Sequence, residues 1–405
     1  MSNCIFRNTE KKELQMLKRH FRVTHPGVAQ PDKVIYKTKR GERVRQEIYL
    51  HGNYPNYFYE RYWKRKKKCE EISRGGVVTK CDDEEAKDKK EADKQYKANE
   101  RVCKVVEVGE ADKKHIIDDY RLTHVNNLMN GIFYNKNVLD IGCNCGVTTF
   151  LLSLKYKCRV VNGIDIDCNL INNSVTLLRI FIEFVLVYNS QNHVVPFFLR
   201  RRNLTQMQRD IFLELHLLRE AIRSDALRSD AAGDKIDQAV KGETVGDKPE
   251  TDQALSCTRE HVFPFNIYFS CLNIFDQVFQ TAQGTYDVII CFSVLKWIHL
   301  NHGDAQVILF FDRIHSLLKE GGYFVLEYHK EIKYKVKTCD RDYYTHETNL
   351  SYKDFDAIAR GGYQNSSRMN LVERTIFDAN AEVGPSGKKK GPGMFSRIVC
   401  IYQKV

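Results

Sequence analysis

A five-residue, largely apolar run followed by a glycine-bearing turn constrains the fold of this chain more than any other feature. The run covers Asn137 to Ile141, and the turn reads Gly142-Cys143-Asn144-Cys145-Gly146. A short apolar run that ends in glycine is typical of a buried parallel strand. Glycines at the carboxyl end of such a strand let the backbone pass close to a ligand. The segment therefore predicts the cofactor turn of an α/β domain.

Short apolar strands alternate with helices along much of the chain. The predicted strands cover residues 137–141, 159–164, 266–270, 286–292 and 323–327. The predicted helices cover residues 147–154, 168–188 and 304–319. This alternation indicates a doubly wound, mostly parallel sheet with right-handed crossovers. A helix at 351–360 and strands at 372–377 and 396–402 follow, and these two strands predict an antiparallel hairpin at the sheet edge.

An aspartate stands at the end of the second predicted strand. Asp165 follows Gly142 by 23 residues, which suits an acid that binds both ribose hydroxyls of a cofactor. The turn is spaced Gly-x-x-x-Gly, whereas a dinucleotide fingerprint requires Gly-x-Gly-x-x-Gly. The site therefore suits a ligand without a pyrophosphate better than NAD. Taken singly, the glycines fit a tight turn and Asp165 fits a helix N-cap, so only the combination carries this prediction.

The second half of the chain favours one class of fold. Residues 286–290 read as a strand, and residues 317–326 read as a helix end, a Gly321-Gly322 turn and a further strand. With the cofactor turn and Asp165, this ensemble resembles the class I methyltransferase fold. That is an α/β, Rossmann-like fold with a mostly parallel seven-stranded sheet and a C-terminal antiparallel hairpin. The resemblance implies S-adenosylmethionine as the cofactor, and no metal site is predicted.

Two polar stretches interrupt the pattern and define the predicted domain organisation. Residues 64–112 mix lysines with acids and contain few apolar residues, which predicts a solvated insertion. Residues 203–260 begin with a helical pattern and become polar, which predicts a partly helical, partly disordered surface insertion. The methyltransferase domain then comprises 113–202 and 261–405, and the N-terminal region 1–63 forms a lid over the site.

The charge balance and the cysteines indicate which kinds of binding partner and which compartment to expect. Lysine and arginine outnumber aspartate and glutamate by 63 to 52, and the net charge of +11 favours a polyanion such as nucleic acid. The 13 cysteines have no framework spacing, so we interpret them as reduced thiols of an intracellular protein. No signal peptide is recognisable. The most apolar segment, 175–188, contains Arg179 and Glu183 and is too short to span a bilayer, so no membrane partner is predicted.

Five short motifs resemble the methylphosphate capping enzymes, also called the Bicoid-interacting RNA methyltransferase family. They occur in the family's order and, with the tail, cover about 240 residues; both insertions remain unmatched. The motifs are Gly-Asn-Tyr-x-x-Tyr at 52–57, Asp-x-Arg-Leu at 119–122, Asp-Ile-Gly-Cys-Asn-x-Gly at 140–146, Gly-x-Asp-Ile-Asp at 163–167 and Lys-Trp-x-His-Leu-Asn-x-Gly-Asp at 296–304. The last of these is the most specific.

The resemblance implies transfer of a methyl group from S-adenosylmethionine to a 5′-terminal phosphate of a small RNA. The γ-phosphate is the expected acceptor. A phosphate oxygen is already anionic at neutral pH, so catalysis requires alignment and charge neutralisation more than a general base. Lys296, Arg61 and His299 are the predicted cations. Tyr57 is predicted to donate a hydrogen bond or to stack on the first base, and the N-terminal region becomes a lid for cofactor and RNA.

By the same resemblance, a second set of residues holds the cofactor. Arg121 pairs with the methionine carboxylate, Phe58 lines the methionine end, and Phe292 closes the pocket beside the sulfonium. Asp165 binds the ribose and Ile166 lies beside the adenine. The remaining predicted contacts are Gly142, Cys143, Asn144 and Gly146 around the cofactor backbone, and Cys271, Leu272 and Asn273 near the adenine amine.

One segment departs from the family. Members continue the strand after the double glycine as Leu-Glu-Pro-Gln-x-Trp, whereas this chain reads Leu326-Glu327-Tyr328-His329-Lys330-Glu331. Since this segment borders the acceptor pocket, the departure bears on the choice of RNA and leaves the cofactor assignment as it is.

Several alternatives remain open. Lys296 fits a solvated lysine, Trp297 fits lid or core packing better than base stacking, and His299 fits a bond within its loop. Residues 64–68, a run of lysine and arginine, suit a nuclear localisation patch, an RNA contact or a solvated surface. Other functions are methylation of a protein or small-molecule nitrogen, and a non-catalytic RNA-binding scaffold. We expect a nuclear location, with the cytoplasm as the alternative, and ribonucleoprotein proteins as partners.

Overall fold

The computed structural model describes most of the predicted methyltransferase domain. The described residues are 33–39, 42–54, 57–58, 117–188, 195–200, 202–240, 263–329, 343–363, 366–377 and 397–405. Arg61, the predicted insertion at 64–112 and residues 241–260 lie outside the described residues.

A seven-stranded mixed sheet forms the centre of the protein. Its strands are β3 (Asn137–Ile141), β4 (Val160–Asp165), β5 (Ile267–Cys271), β6 (Tyr286–Phe292), β7 (Leu318–His329), β8 (Met369–Phe377) and β9 (Arg397–Lys404). They lie in the order β5-β4-β3-β6-β7-β9-β8. The first five are parallel, and β9 runs antiparallel to both β7 and β8. This is the predicted class I methyltransferase fold, including its C-terminal hairpin at the sheet edge.

Eight helices accompany the sheet in the part of the chain that the structure describes. They are α1 (Tyr120–Leu128), α2 (Val147–Leu154), α3 (Cys168–Tyr188), α4 (Val195–Arg200), α5 (Gln206–Val240), α6 (Val278–Thr281), α7 (Leu295–Leu317) and α8 (Tyr352–Ala359). Two further strands, β1 (Lys33–Lys39) and β2 (Glu42–Ile48), pair antiparallel in a separate two-stranded sheet that the sequence analysis did not predict.

Alternate residues of the central strands bury their side chains on opposite faces of the sheet. On one face, Val138 of β3 lies in a cluster with residues of α1, α2, α3 and α5. On the other, its neighbour Leu139 lies in a cluster with residues of α7 and α8. This two-residue period is what a strand covered on both faces requires. The chain order reverses between β3 and β6, which places a crevice at their carboxyl ends.

The region predicted as a surface insertion, 203–260, contributes to the core. It forms α5, in which Phe212 and Leu215 are fully buried. The Phe212 ring stacks on Phe181 of α3 with centroids 4.3 Å apart. The prediction of a surface location was therefore wrong for the first turns of α5, because Ile211, Leu215 and Leu218 form an apolar face of helical spacing.

Helix α3 is long and apolar enough to cross a membrane by length and composition alone. Most of that stretch is buried inside the protein, where Phe181 and Phe184 pack in the main core cluster. Among the described residues no other helix passes the same test. The core packing accounts for the apolar composition of α3.

Helix α7 starts earlier than predicted. It spans Leu295–Leu317, but Gly303 interrupts it with φ 75° and ψ −171°, a conformation that glycine adopts without steric cost. The part after the kink agrees with the predicted helix at 304–319. The part before the kink, 295–302, carries the Lys-Trp-x-His motif to the carboxyl edge of β6.

Candidate functional site

Gly142 begins the turn that leaves β3, and its backbone is fixed against β4. The N–H groups of Gly142 and Cys143 both donate to the Ile164 carbonyl oxygen, at 2.8 and 3.0 Å. Gly142 has φ 70°, and a Cβ there would lie 2.2 Å from Cγ2 of Val294. Only glycine therefore fits both the conformation and the space.

The turn ends at Gly146, which has φ 78° and is the N-cap of α2. A Cβ at Gly146 would lie 2.7 Å from Cζ of Phe269 and 3.0 Å from Oγ of Ser174. Asn144 also has a positive φ, 52°. The predicted cofactor turn is thus a compact backbone loop that leads into the first turn of α2.

Asp165 lies beside this turn, at the end of β4. Its Oδ2 accepts the Asn144 N–H at 2.9 Å, and its Oδ1 accepts the Asp167 N–H at 3.0 Å. Burial raises the pKa of Asp165 to about 6, although these two hydrogen bonds act in the opposite direction. The carboxylate is therefore ionised at neutral pH and oriented by backbone donors, as a ribose-binding acid requires.

The predicted adenine side is formed by the loops after β4 and β5. Ile166 is exposed, and Leu272 is half-buried with its N–H donating to the Asp165 carbonyl oxygen at 3.0 Å. The Asn273 side chain accepts the Phe275 N–H at 3.1 Å, so it also holds the loop in shape. Ile166, Leu272 and Asn273 thus lie in neighbouring loops at the carboxyl edge of the sheet, and their contact with adenine stays a prediction.

Cys271, predicted to lie near the adenine amine, forms a disulfide with Cys168. The prediction that all cysteines are reduced thiols was therefore wrong for this pair. The bond joins the end of β5 to the first residue of α3 across 103 positions, a contact that sequence spacing cannot reveal. Five other described cysteines are free and buried: Cys143, Cys145, Cys158, Cys291 and Cys400.

Arg121 of α1 is a buried cation held by two carboxylates. Its Nη2 donates to Asp119 at 2.6 Å and its Nη1 donates to Glu327 of β7 at 2.7 Å. All three side chains are at most 1% exposed. Burial alone would lower the pKa of Arg121, but the two carboxylates outweigh it and raise the pKa well above its usual value. The guanidinium also lies 4.2 Å from the Phe292 ring centroid.

Glu327 extends this network toward the acceptor side. Its Oε2 accepts the Ser293 hydroxyl at 2.8 Å, and Ser293 in turn accepts Nη1 of Arg397 at 3.2 Å. Ser293 follows Phe292 directly and has φ 66°. A polar chain therefore crosses the carboxyl ends of β6 and β7 and the amino end of β9. Glu327 was noted in the sequence, whereas Ser293 and Arg397 were missed as site residues.

Lys296 and Trp297 begin α7 next to this edge. The Lys296 ammonium lies 4.7 Å from the centroid of the Trp297 ring. That ring packs against Gly52, where a Cβ would lie 2.2 Å from its Nε1, and edge-on to Tyr54 at 6.0 Å. Trp297 therefore packs the N-terminal segment onto the domain, which agrees with the lid interpretation of this tryptophan.

The described N-terminal residues 49–54 and 57–58 lie across both halves of the site. Asn301 and Tyr344 donate to the Leu50 carbonyl oxygen at 2.9 and 3.0 Å. On the cofactor side, Nδ2 of Asn53 donates to Asp167 at 2.7 Å. The segment is thus fixed to α7 at one end and to the loop after β4 at the other.

Tyr57 and Phe58 follow directly in this segment. The Tyr57 hydroxyl is near enough to Arg121 to raise its pKa, and Phe58 is buried in the main core cluster at 1% exposure. The role of Phe58 at the methionine end of the cofactor stays a prediction. Tyr57 is half-buried.

His299 has surroundings that differ from those of Lys296. It is fully buried, and its Nε2 lies 2.5 Å from Oδ1 of Asp304, which also accepts the Asn349 N–H. Burial lowers the pKa of His299 despite the Asp304 carboxylate. A neutral, enclosed imidazole suits the alternative of a bond within its own loop better than a phosphate-binding cation.

No group of three or more His, Cys, Asp or Glu side chains is arranged to hold a metal ion within the described ranges.

Comparison with known proteins shows which family the C-terminal part of the chain resembles. The model of Bicoid-interacting protein 3 matches residues 286–404, from β6 to the last residue of β9. A probable RNA methyltransferase of Arabidopsis thaliana is 27% identical over 279 residues, which cover 67% of this chain and 71% of that protein. The chain is thus similar to the Bicoid-interacting protein 3 family over residues 286–404. This region contains the Lys-Trp-x-His-Leu-Asn-x-Gly-Asp motif at 296–304, and the other four motifs lie before it.

Two further proteins that resemble this chain have more specific names. The 7SK snRNA methylphosphate capping enzyme of Mus musculus is 27% identical over 290 residues, 67% of this chain. The chain spans 36% of that longer protein. The RNA 5′-monophosphate methyltransferase of Rattus norvegicus is 35% identical over 65 residues, 14% of this chain and 23% of the relative.

Solved structures resemble this chain only loosely. A SAM-dependent methyltransferase from Methanosarcina mazei covers 69% of this chain and 97% of its own, with 14% identity and a TM-score of 0.34. Because this superposition is loose, the fold assignment rests on the strand order and directions of the sheet.

Proposed function

We propose that this protein transfers a methyl group from S-adenosylmethionine to a 5′-terminal phosphate of a small RNA. The observation that carries the proposal is the juxtaposition at the carboxyl edge of the sheet. The glycine turn and Asp165 lie on one side of β3, and Lys296 lies on the other side, directly after β6. The names of the capping and monophosphate-methylating relatives support the same reaction.

The residues present fit S-adenosylmethionine. Gly142 and Gly146 let the turn pack closely against Val294 and Phe269, and Asp165 offers an oriented carboxylate for the ribose hydroxyls. When bound, the cofactor supplies a methyl group activated by a sulfonium sulfur. The residues that would hold it are Phe58, Arg121, Gly142, Cys143, Asn144, Gly146, Asp165, Ile166, Leu272, Asn273 and Phe292.

The network around Arg121 suits the zwitterionic methionine end of the cofactor. Arg121 offers its remaining N–H groups to a carboxylate, while Asp119 and Glu327 favour a nearby ammonium. The Phe292 ring on the Arg121 face excludes water from this end. Because all three charged side chains are buried and mutually bonded, they hold their positions before any ligand arrives.

On the acceptor side, the chain has to orient a phosphate and neutralise its charge. A terminal phosphate oxygen is anionic at neutral pH, so it attacks the methyl carbon without a side chain that removes a proton. One carbon–oxygen bond forms, the carbon–sulfur bond breaks, and S-adenosylhomocysteine leaves. Lys296 offsets the phosphate charge, Tyr57 offers a hydroxyl donor, and the N-terminal segment over Trp297 limits access of water.

The acceptor is best tested with one RNA sequence carrying a 5′-triphosphate, a 5′-monophosphate or a 5′-hydroxyl. We expect label from methyl-labelled cofactor in the triphosphate RNA first, and none in the hydroxyl RNA. Lys296→Ala should lower the rate with phosphorylated RNA while cofactor affinity is retained. Equal methyl incorporation into the 5′-hydroxyl RNA would overturn the proposal that a phosphate is the acceptor. So would methyl transfer to a nitrogen. If the protein does not bind S-adenosylmethionine, the alternative of a non-catalytic RNA-binding scaffold stands instead.

A nuclear location and association with ribonucleoprotein proteins complete the proposal. The basic composition of the chain and its RNA methyltransferase relatives support them. Fluorescence microscopy of the tagged protein, and identification of the proteins that co-purify with it before and after ribonuclease treatment, would test both.

A further inference from the structure

The last strand of the sheet brings a basic residue to the proposed acceptor side. Since β9 runs antiparallel to β7, its first residue, Arg397, lies at the carboxyl edge and pairs with His329 at the end of β7. The parallel strands β3, β4 and β6 place their functional loops at this same edge. Arg397 and His329 are 68 positions apart in the chain, and neither belongs to the five family motifs.

Arg397 is anchored on one side of its guanidinium. Its Nη1 donates to Ser293 at 3.2 Å and lies 3.7 Å from Oε1 of Glu327. Among the described residues, Ser293 and Glu327 are the polar partners of the Arg397 guanidinium, and both contact its Nη1. The side chain is 18% exposed. The anchored arginine thus has its Nε and Nη2 donors left for a ligand, in the planar arrangement that matches two phosphate oxygens.

Two cations act on the ring of His329. Burial lowers the pKa of His329 to about 3, and the positive charges of Arg397 and Lys296 act in the same direction, against Glu327. The imidazole is therefore neutral at physiological pH, where one ring nitrogen carries a proton. Because Arg397 is the cross-strand neighbour of His329, a guanidinium and a neutral imidazole lie side by side at this edge of the sheet.

We propose that Arg397 and His329 form the subsite that binds and orients the acceptor phosphate, together with Lys296. Arg397 binds two phosphate oxygens through Nε and Nη2, and His329 donates a hydrogen bond from its neutral ring. This inference rests on the proposed function and names residues that determine its specificity.

A purely structural role for Arg397 predicts a different result. Through Ser293 and Glu327, Arg397 is connected to Arg121 at the cofactor end. If Arg397 served only to hold that network, its replacement would weaken cofactor binding as much as RNA binding. A phosphate subsite predicts instead that the loss falls on the 5′-phosphorylated RNA alone.

The test compares the affinities for RNA with a 5′-phosphate and for the same RNA with a 5′-hydroxyl, and measures the cofactor affinity in parallel. Arg397→Lys keeps the charge and removes the two-donor geometry. We expect it to reduce the affinity ratio about tenfold or more, because a charge-assisted pair of bonds is lost. His329→Ala should lower the ratio as well, and His329→Gln should restore part of it. The matched control is Lys404→Gln, at the opposite end of β9.

The outcomes separate this inference from the proposed function. If the wild-type protein methylates phosphorylated RNA and both Arg397→Lys and His329→Ala keep its preference for the 5′-phosphate, the subsite is overturned and the function stands. Equal losses of cofactor and RNA affinity in Arg397→Lys would also overturn it in favour of the structural role. Absence of any 5′-phosphate preference in the wild-type protein overturns both. Should Arg397→Lys fail to fold in a thermal melt, His329→Ala decides the question.

Discussion

Arg121 of α1 donates a 2.7 Å hydrogen bond to Glu327 of β7, and the two side chains are buried although 206 positions separate them. The bond joins the helix that precedes the cofactor strand to the strand that borders the acceptor side. Two buried charges are stable only as a pair, since each alone would lack the solvation that water provides. The pair therefore couples the stability of the domain to the geometry of both halves of the site.

Glu327→Gln should destabilise the protein. The substitution keeps the size of the side chain but removes one of the two negative charges around the buried Arg121. Because Asp119 still pairs with Arg121, the loss is that of one charge-assisted hydrogen bond, about 1.5–3 kcal/mol. Denaturant unfolding should show a fall of that order in the free energy of unfolding. Glu320→Gln, at a side chain 77% exposed, is the control and should change it by less than about 0.5 kcal/mol. A fall below 1 kcal/mol in Glu327→Gln would contradict the role of the pair.

Gly142→Ala should abolish cofactor binding. A methyl group at this position would lie 2.2 Å from Val294, so the turn or the start of α7 would have to move. Gly131→Ala is a matched control, because Gly131 also has a positive φ, 87°, but has no atom within 4 Å of its added Cβ. Both variants should lose about 1–2 kcal/mol of stability from the backbone conformation. Only Gly142→Ala should lose affinity for S-adenosylmethionine in calorimetry; retained affinity would show that the turn does not touch the cofactor.

Cofactor affinity should fall as the pH drops below about 6. The pKa of Asp165 is raised to about 6 by burial, so acidification protonates the carboxylate and removes the anion that accepts the ribose hydroxyls. Above that pH the group is ionised and the affinity should level off. Titrations between pH 5 and 8 would measure this dependence. Asp165→Asn should bind weakly at every pH with a nearly flat profile; an equally steep profile in the variant would assign the titration to another group.

Reduction of the Cys168–Cys271 disulfide should destabilise the domain. The bond closes a loop of about 100 residues, and removing such a link typically costs about 2–4 kcal/mol. The melting temperature of the wild-type protein should therefore fall in the presence of a reducing agent. Cys168→Ser should melt at the lower temperature with or without the reducing agent. If the reducing agent leaves the melting temperature of the wild-type protein unchanged, the disulfide does not contribute to stability.

The local parts of the fold were predictable, because their signals lie within a few residues. The bounds of β3, α2 and β6 agree with the prediction since each is a compact apolar run with a clear end. The packing of α5 was missed because the polar residues after Leu218 dominate the composition of its region. The apolar face that fixes its position, Ile211 to Leu218, is only two turns long.

The long-range parts of the site were not predictable in the same way. Sequence spacing predicted Asp165 and the glycine turn, since Asp165 binds Asn144 only 21 positions away. It identified the residue type of His299 but not its burial against Asp304, which decides whether the ring carries a charge. Arg397 and the Cys168–Cys271 bond depend on how distant strands meet, and no local pattern records that meeting.

The direction of β9 has a practical consequence for anyone who labels this protein. The strand starts at the proposed phosphate subsite with Arg397 and runs away from it to Lys404. Eight residues of extended strand span roughly 25 Å. A fluorophore or affinity handle attached at Val405, which is 68% exposed, would therefore report on the enzyme from the side opposite the RNA end, without obstructing its entry.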